Sequence, residues 1–147
     1  LTDTMSTFNA TNFFDSDYSI AASTGNLMWE GSWAAVELLR NPESWLVERL
    51  RGKRVVELGA GIGLLGLCAA VTGAHVLLTD VPAVVNDTLC PNTAANTGES
   101  TPESAGAWSG AHSVGGGSAV TQALDWFRPV SEQVPLTLHL MPTARLL

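Results

Sequence analysis

The sequence predicts an α/β fold with a parallel sheet, and three observations carry that prediction. Val55-Val56-Glu57-Leu58 is a β-branched, apolar run that breaks into Gly59-Ala60-Gly61-Ile62-Gly63, the pattern of a strand ending in a glycine turn. A second run, His75-Val76-Leu77-Leu78-Thr79, ends on Asp80. Between the two, residues 63–72 read as an apolar helix closed by Gly73. Strand, helix and strand in that order form a crossover unit, which makes the strands parallel. Each strand is a continuous apolar run, so the sheet is expected to be covered on both faces.

Around this unit the other elements follow in order. Residues 1–24 are polar, with Phe8, Phe13, Phe14 and Tyr18 scattered through them, and predict an arm that docks through aromatics. Trp29–Leu39 has the spacing of an amphipathic helix. Asn41-Pro42-Glu43 reads as a helix start, with Asn as N-cap and Pro at the first helical position. That second helix is expected to turn Trp45, Leu46 and Leu50 inward and to stop at Gly52. Lys53–Leu58 is the first strand. Pro82 opens a helix running to Cys90, where Pro91 is expected to end or kink it. Residues 97–118 hold two low-complexity stretches, Thr97-Gly98-Glu99-Ser100-Thr101-Pro102 and Gly115-Gly116-Gly117-Ser118, and read as a loop insertion. Ala119–Trp126 is a candidate third strand. Beyond Phe127 come Pro129, Pro135 and Pro142, with one short candidate strand at Leu136–Leu140.

Composition narrows the classes. The 147 residues are 46% hydrophobic and 14% charged, enough for one domain with a core. Seven Lys and Arg against 14 Asp and Glu give a net charge of −7, which argues against nucleic acid as a partner. Cys68 falls inside the apolar helix pattern and reads as a buried thiol; with Cys90 it forms neither a disulfide framework nor a zinc pattern. No charged residue lies between Leu58 and Thr79, long enough to span a bilayer, but turn glycines and Gly73 interrupt it, so no membrane span is expected. No signal or transit peptide is visible, and residues are expected ahead of Leu1. A cytoplasmic place, with the nucleus as an option, follows. His75 reads as a strand start without chemistry, and neither His112 nor His139 has metal-ligand spacing, so no metal site is expected.

The glycine loop permits close approach of backbone to a ligand. Asp80 lies 23 residues after Glu57, at the tip of the next strand, where a carboxylate can accept the ribose hydroxyls of an adenosine. Two dinucleotide registers fit incompletely. Gly61-x-Gly63-x-x-Gly66 matches G-x-G-x-x-G but starts late in the loop, and starting at Gly59 puts Leu64 at the third glycine. Glu57 adds a further argument: a carboxylate at the loop repels a pyrophosphate and suits the ammonium and sulfonium of S-adenosylmethionine.

On these residues the chain resembles a known family. Val55–Gly63 with Asp80 looks like motifs I and II of class I S-adenosylmethionine-dependent methyltransferases, whose fold is Rossmann-like. Ser23-Thr24-Gly25-Asn26-Leu27-Met28-Trp29, Gly73–Asp80, Asn92, Asn96 and Leu124-Asp125-Trp126 resemble the family 16 protein-lysine methyltransferases, a group that includes enzymes acting on elongation factor 2 and on chaperones. The resemblance covers residues 23–126 apart from the insertion. It implies S-adenosyl-L-methionine as cofactor and a lysine side chain of a protein as acceptor. It also implies that Trp29 lines the cofactor site, that Glu57, Gly59 and Gly61 hold the methionine part, that Asp80 binds ribose, and that Trp126 packs beside adenine. Each residue has a plainer reading. Trp33 is expected in the core, and Trp29 is open between core and cofactor. Asn92 and Asn96 are expected to shape a helix end, and Asp125 to be a solvated strand end.

The pattern then stops. The family's acceptor motif, an acidic residue, a small residue and an aromatic after a fourth strand, has no counterpart where Val134-Pro135-Leu136-Thr137-Leu138-His139-Leu140-Met141-Pro142 runs. No catalytic residue is assigned. The expected division is an arm at 1–24, a cofactor-binding half-domain at 25–134 and a tail foreign to the family at 135–147. A truncated product, inactive alone, is expected, with an uncovered sheet edge open to self-association. Two other functions stay open: a non-catalytic interaction protein built on the half-domain, and an NAD- or FAD-binding oxidoreductase.

Overall fold

The computed structural model describes residues 24–97, 112–133 and 145–146. Helix α1 (Glu30–Arg40) and the short α2 (Trp45–Leu50) precede strand β1 (Arg54–Leu58). Helix α3 (Leu64–Val71) connects β1 to β2 (His75–Asp80). A helical run follows: α4 (Pro82–Val84), a π-turn (Val85–Leu89) and α5 (Cys90–Thr97). The hairpin β3 (His112–Val114) and β4 (Gly117–Ala123), the one-turn α6 (Val130–Gln133) and β5 (Arg145–Leu146) complete it. The sheet order is β3-β4-β2-β1-β5. β1, β2, β4 and β5 run parallel, and β3 pairs antiparallel with β4. The predicted Rossmann-like α/β architecture is therefore present.

Central β2 is apolar through both faces and buried along Val76–Thr79, as a doubly covered strand should be. β1 is not: Val55 and Glu57 are buried, Arg54 and Val56 half-buried, and Leu58 exposed. Leu78, Val76, Val55 and Leu89 are fully buried, each contributing about 1.5–3 kcal/mol of apolar burial. Gly66 sets how low α3 sits on the sheet, because a Cβ there would collide with the side chains of Leu78 and Glu57.

Several sequence expectations are corrected. Asn41 ends α1, and its side chain accepts from the Glu43 N–H at 3.0 Å; the N-cap of α2 is Ser44, whose Oγ accepts from the Val47 N–H at 3.3 Å. Pro42 thus shapes a turn, which Ser44 closes into a helix three residues later than expected. The later start rotates the helix: Val47 and Leu50 face the core and Leu46 borders it, whereas Trp45 is 59% exposed with Arg49 5.8 Å above its ring. Trp33 is exposed rather than core. Pro91 does not end its helix. The π-turn before it lets the Cys90 N–H bond to the Val85 carbonyl, a wider ring that accommodates a residue without an N–H, and α5 runs on to Thr97. The third strand is Gly117–Ala123, so Leu124-Asp125-Trp126 leaves the sheet. The glycine-rich stretch at 115–118 contributes the two-residue turn of the β3–β4 hairpin and the start of β4. The candidate strand Leu136–Leu140, the arm at 1–23 and the tail apart from β5 lie outside the described residues.

Candidate functional site

The sheet order places one crevice. From β1 the chain steps outward to β2 and β4, whereas β5 lies on the other side of β1. Strand order reverses at β1, and open α/β sheets bind ligands at the carboxyl ends of the strands beside such a reversal. The carboxyl end of β1 is the glycine loop.

That loop alternates handedness. Gly59, Gly61 and Gly63 have φ of +67°, +55° and +82°, values side chains rarely adopt, so the glycines are required by the path itself. Two bonds from β2 hold it: the Ala60 N–H donates to the Thr79 carbonyl at 2.9 Å, and the Gly61 N–H donates to Asp80 Oδ2 at 2.7 Å. Asp80 Oδ1 accepts from the Val81 N–H at 2.7 Å. Each Asp80 oxygen therefore spends one lone pair on backbone and keeps one.

Glu57 lies beneath the loop rather than at its rim. It is 7% exposed, on the sheet face covered by α3, against Gly66 in that helix's first turn. Oε2 makes no hydrogen bond. Burial pushes its pKa up to about 7; the backbone N–H of Gly66 pulls it partly back, and the charge of Asp80 adds to the rise. The thiol of Cys68 is raised by burial and by Glu57.

Two segments distant in sequence come up to the loop, 24–29 and the stretch after β4. The Gly25 carbonyl approaches Gly61 so closely that a Cβ there would lie 2.9 Å from it. The segment 24–29 is fastened by a bond between Thr88 Oγ1 and Asn26 Oδ1, and Trp29 Nε1 donates to the Thr24 carbonyl at 3.3 Å. Trp29 is 60% exposed, so of its two readings the core one is overturned. The Trp126 ring lies against Gly59, 3.8 Å from where a Cβ would stand, and is 68% exposed. Gly59, Gly61, Asp80 and Trp126 thus meet around one loop, with Glu57 below it and Trp29 on the neighbouring segment.

Asn92 and Asp125 do more than the plain roles expected of them, and Gln133 was not singled out by the sequence. Asn92 Nδ2 on α5 donates to the Ile62 carbonyl inside the loop at 2.9 Å, whereas Asn96 bonds only back to the Asn92 carbonyl. Asp125 is more than a strand end: its Oδ1 accepts from the Phe127 N–H at 2.8 Å and bends the chain at Trp126. Gln133 braces that bend, its Oε1 accepting from the Asp125 N–H at 2.6 Å and its Nε2 donating to the Asp125 and Arg128 carbonyls. The Asp-x-Phe spacing signals such a turn; nothing local signals Gln133.

Sheet order, loop and strand-tip carboxylate together define a Rossmann-like α/β protein with a nucleoside-binding type of site. A family model described as lysine methyltransferase matches residues 14–136, and the chain belongs to that family. Protein N-lysine methyltransferase METTL21A of Danio rerio is 50% identical over 54 residues, covering 37% of this chain and 23% of that protein. EEF1A lysine methyltransferase 3 of Mus musculus is 40% identical over 75 residues, covering 51% of this chain and 29% of that protein. The Xenopus tropicalis protein of the same name is 40% identical over 52 residues, 35% of this chain and 23% of that protein. The matched stretches thus span less than a third of each relative's length.

Proposed function

We propose that this chain forms the S-adenosylmethionine-binding part of a protein-lysine N-methyltransferase. The observation that carries the reading is the loop itself: left-handed glycines tied to Asp80, with a buried carboxyl below and an exposed tryptophan above. Asp80 keeps one lone pair on each oxygen for two ribose hydroxyls. The Trp126 face offers a stacking surface for adenine. Gly59 and Gly61 let the methionine portion approach the backbone. Glu57 favours a cationic ligand through the space beneath the loop, and it would oppose a pyrophosphate there. Trp29, exposed on the segment whose Gly25 carbonyl meets Gly61, is the second aromatic that would line the cofactor site.

Methyl transfer is an in-line displacement in which the acceptor nitrogen attacks the methyl carbon and the sulfonium leaves as thioether. The protein's part is to align the two and to present the lysine unprotonated. No group for the second task is assigned among these residues, so the chain alone binds cofactor without turning it over. Its acceptor would be a protein lysine, and a cytoplasmic or nuclear compartment is part of the same proposal.

Calorimetric titration of the 147-residue chain with S-adenosylhomocysteine, NAD and FAD tests the reading. Binding of S-adenosylhomocysteine but of neither dinucleotide, lost in Asp80→Ala, is expected. Preference for a dinucleotide would replace the reading with an oxidoreductase. Methyl transfer to any protein by this chain would overturn the claim that it does not turn over.

A further inference from the structure

We propose that Asn92 is the positioning residue of the glycine loop, and that the π-turn ahead of Pro91 serves to aim it there. The inference rests on the cofactor reading for its consequence, and on geometry for its substance.

The loop is held from β2 at Ala60 and Gly61, and internally by the Gly63 N–H donating to the Ala60 carbonyl at 2.8 Å. All three bonds satisfy N–H groups. The carbonyl of Ile62, midway between Gly61 and Gly63, is met by Asn92 Nδ2 from a different element, 30 residues along the chain. Asn92 thus ties the far side of the loop to α5, while Asp80 ties the near side to β2. A loop built from three left-handed glycines has little conformational preference of its own, so its shape depends on such ties.

The helix orientation that delivers Asn92 comes from an irregularity. In an α-helix, one extra residue turns everything after it by about 100° around the axis. The π-turn Val85–Leu89 inserts that extra residue. Downstream of it Pro91 points to solvent, Asn92 is half-buried toward the loop, and Thr93 is 3% exposed. A regular helix through the same sequence would shift this pattern by one position and turn Asn92 away. Pro91 favours the irregularity because it has no N–H to donate four residues back. Single π-turns within α-helices often mark functional positions.

Two variants separate hydrogen bonding from shape. Asn92→Asp keeps the side-chain volume and removes the donor, and Asn92→Ala removes both. Hydrogen exchange of the amides at residues 60–63, measured against those of β2, is expected to accelerate about five- to tenfold in both variants, the equivalent of one hydrogen bond. S-adenosylhomocysteine affinity is expected to fall by a similar factor. In the unmodified chain, the side-chain amide protons of Asn92 are expected to exchange more slowly than those of a solvated asparagine, a readout that needs no variant. Unchanged loop exchange in Asn92→Asp, or fast exchange of the native Asn92 amide, would overturn the proposal. If the native chain fails to bind S-adenosylhomocysteine, the cofactor reading fails, and the exchange measurements still decide the role of Asn92.

Discussion

Replacing Glu57 with Gln should make the protein more stable at pH 8 and leave it nearly unchanged at pH 4. The folded chain holds this carboxyl at about 7 against an ordinary 4.5, mainly because it is buried. Below pH 4.5 both folded and unfolded states are protonated, and the site costs nothing. Between 4.5 and about 7 the unfolded chain releases the proton while the folded one keeps it, so stability falls as pH rises. Above about 7 both are ionised and the full penalty stands. The gap from 4.5 to about 7, at 1.36 kcal/mol per pH unit, corresponds to about 3 kcal/mol, a large part of a small domain's stability. Glutamine cannot ionise and loses this dependence. Its amide changes the contact with Gly66 by an amount that does not vary with pH, so the difference in slope is the quantity to read. Urea denaturation followed by circular dichroism at pH 4, 5, 6, 7 and 8 gives it. Parallel pH profiles for the two proteins, or a native profile that rises from pH 5 to 8 while the variant's stays flat, would refute the reasoning.

The same carboxyl should couple to ligand charge: affinity for S-adenosylmethionine is expected to rise about three- to tenfold from pH 6 to 8, and Glu57→Gln should flatten that rise in calorimetric titrations. Gly66→Ala gains up to about 1 kcal/mol of helix propensity but forces a methyl into Leu78 and Glu57. Overpacking should prevail, for a net loss of about 1–3 kcal/mol in denaturant titration. Ser44→Ala removes the side-chain cap of α2 and should cost about 1 kcal/mol, whereas Asn41→Ala, outside the helix, should cost less; the same titration ranks them.

Much of this architecture is legible in the residues because each signal is local and doubled. Val55-Val56 marks a strand and Gly59-Ala60-Gly61 its end; the distance from Glu57 to Asp80 then fits one crossover and no other arrangement. What escapes is decided by competition between neighbours. Asn41 and Ser44 both suit an N-cap, and only the fit of Val47 and Leu50 into the core selects Ser44. Pro91 reads as a stop because the rule considers α-helical bonding alone, and a π-turn evades it. Glu57 reads as a ligand contact from its place at the strand end. The pleat turns it toward α3, and only the three-dimensional position of Gly66 shows that it is covered. Asn92 and Gln133 act on backbone carbonyl and N–H groups that carry no sequence signal, so residue type alone does not reveal their partners.

The placement of the four tryptophans among the described residues has an optical consequence. Trp29, Trp33, Trp45 and Trp126 are 60%, 48%, 59% and 68% exposed. Their indoles already meet water in the native state, so their emission changes little when the chain unfolds. One of them, Trp126, stands against Gly59 of the glycine loop, where the proposed adenosine would quench or shift it. On the proposed cofactor reading, the emission of these four described tryptophans is an indicator of occupancy at the carboxyl end of β1 and a poor thermometer of the core.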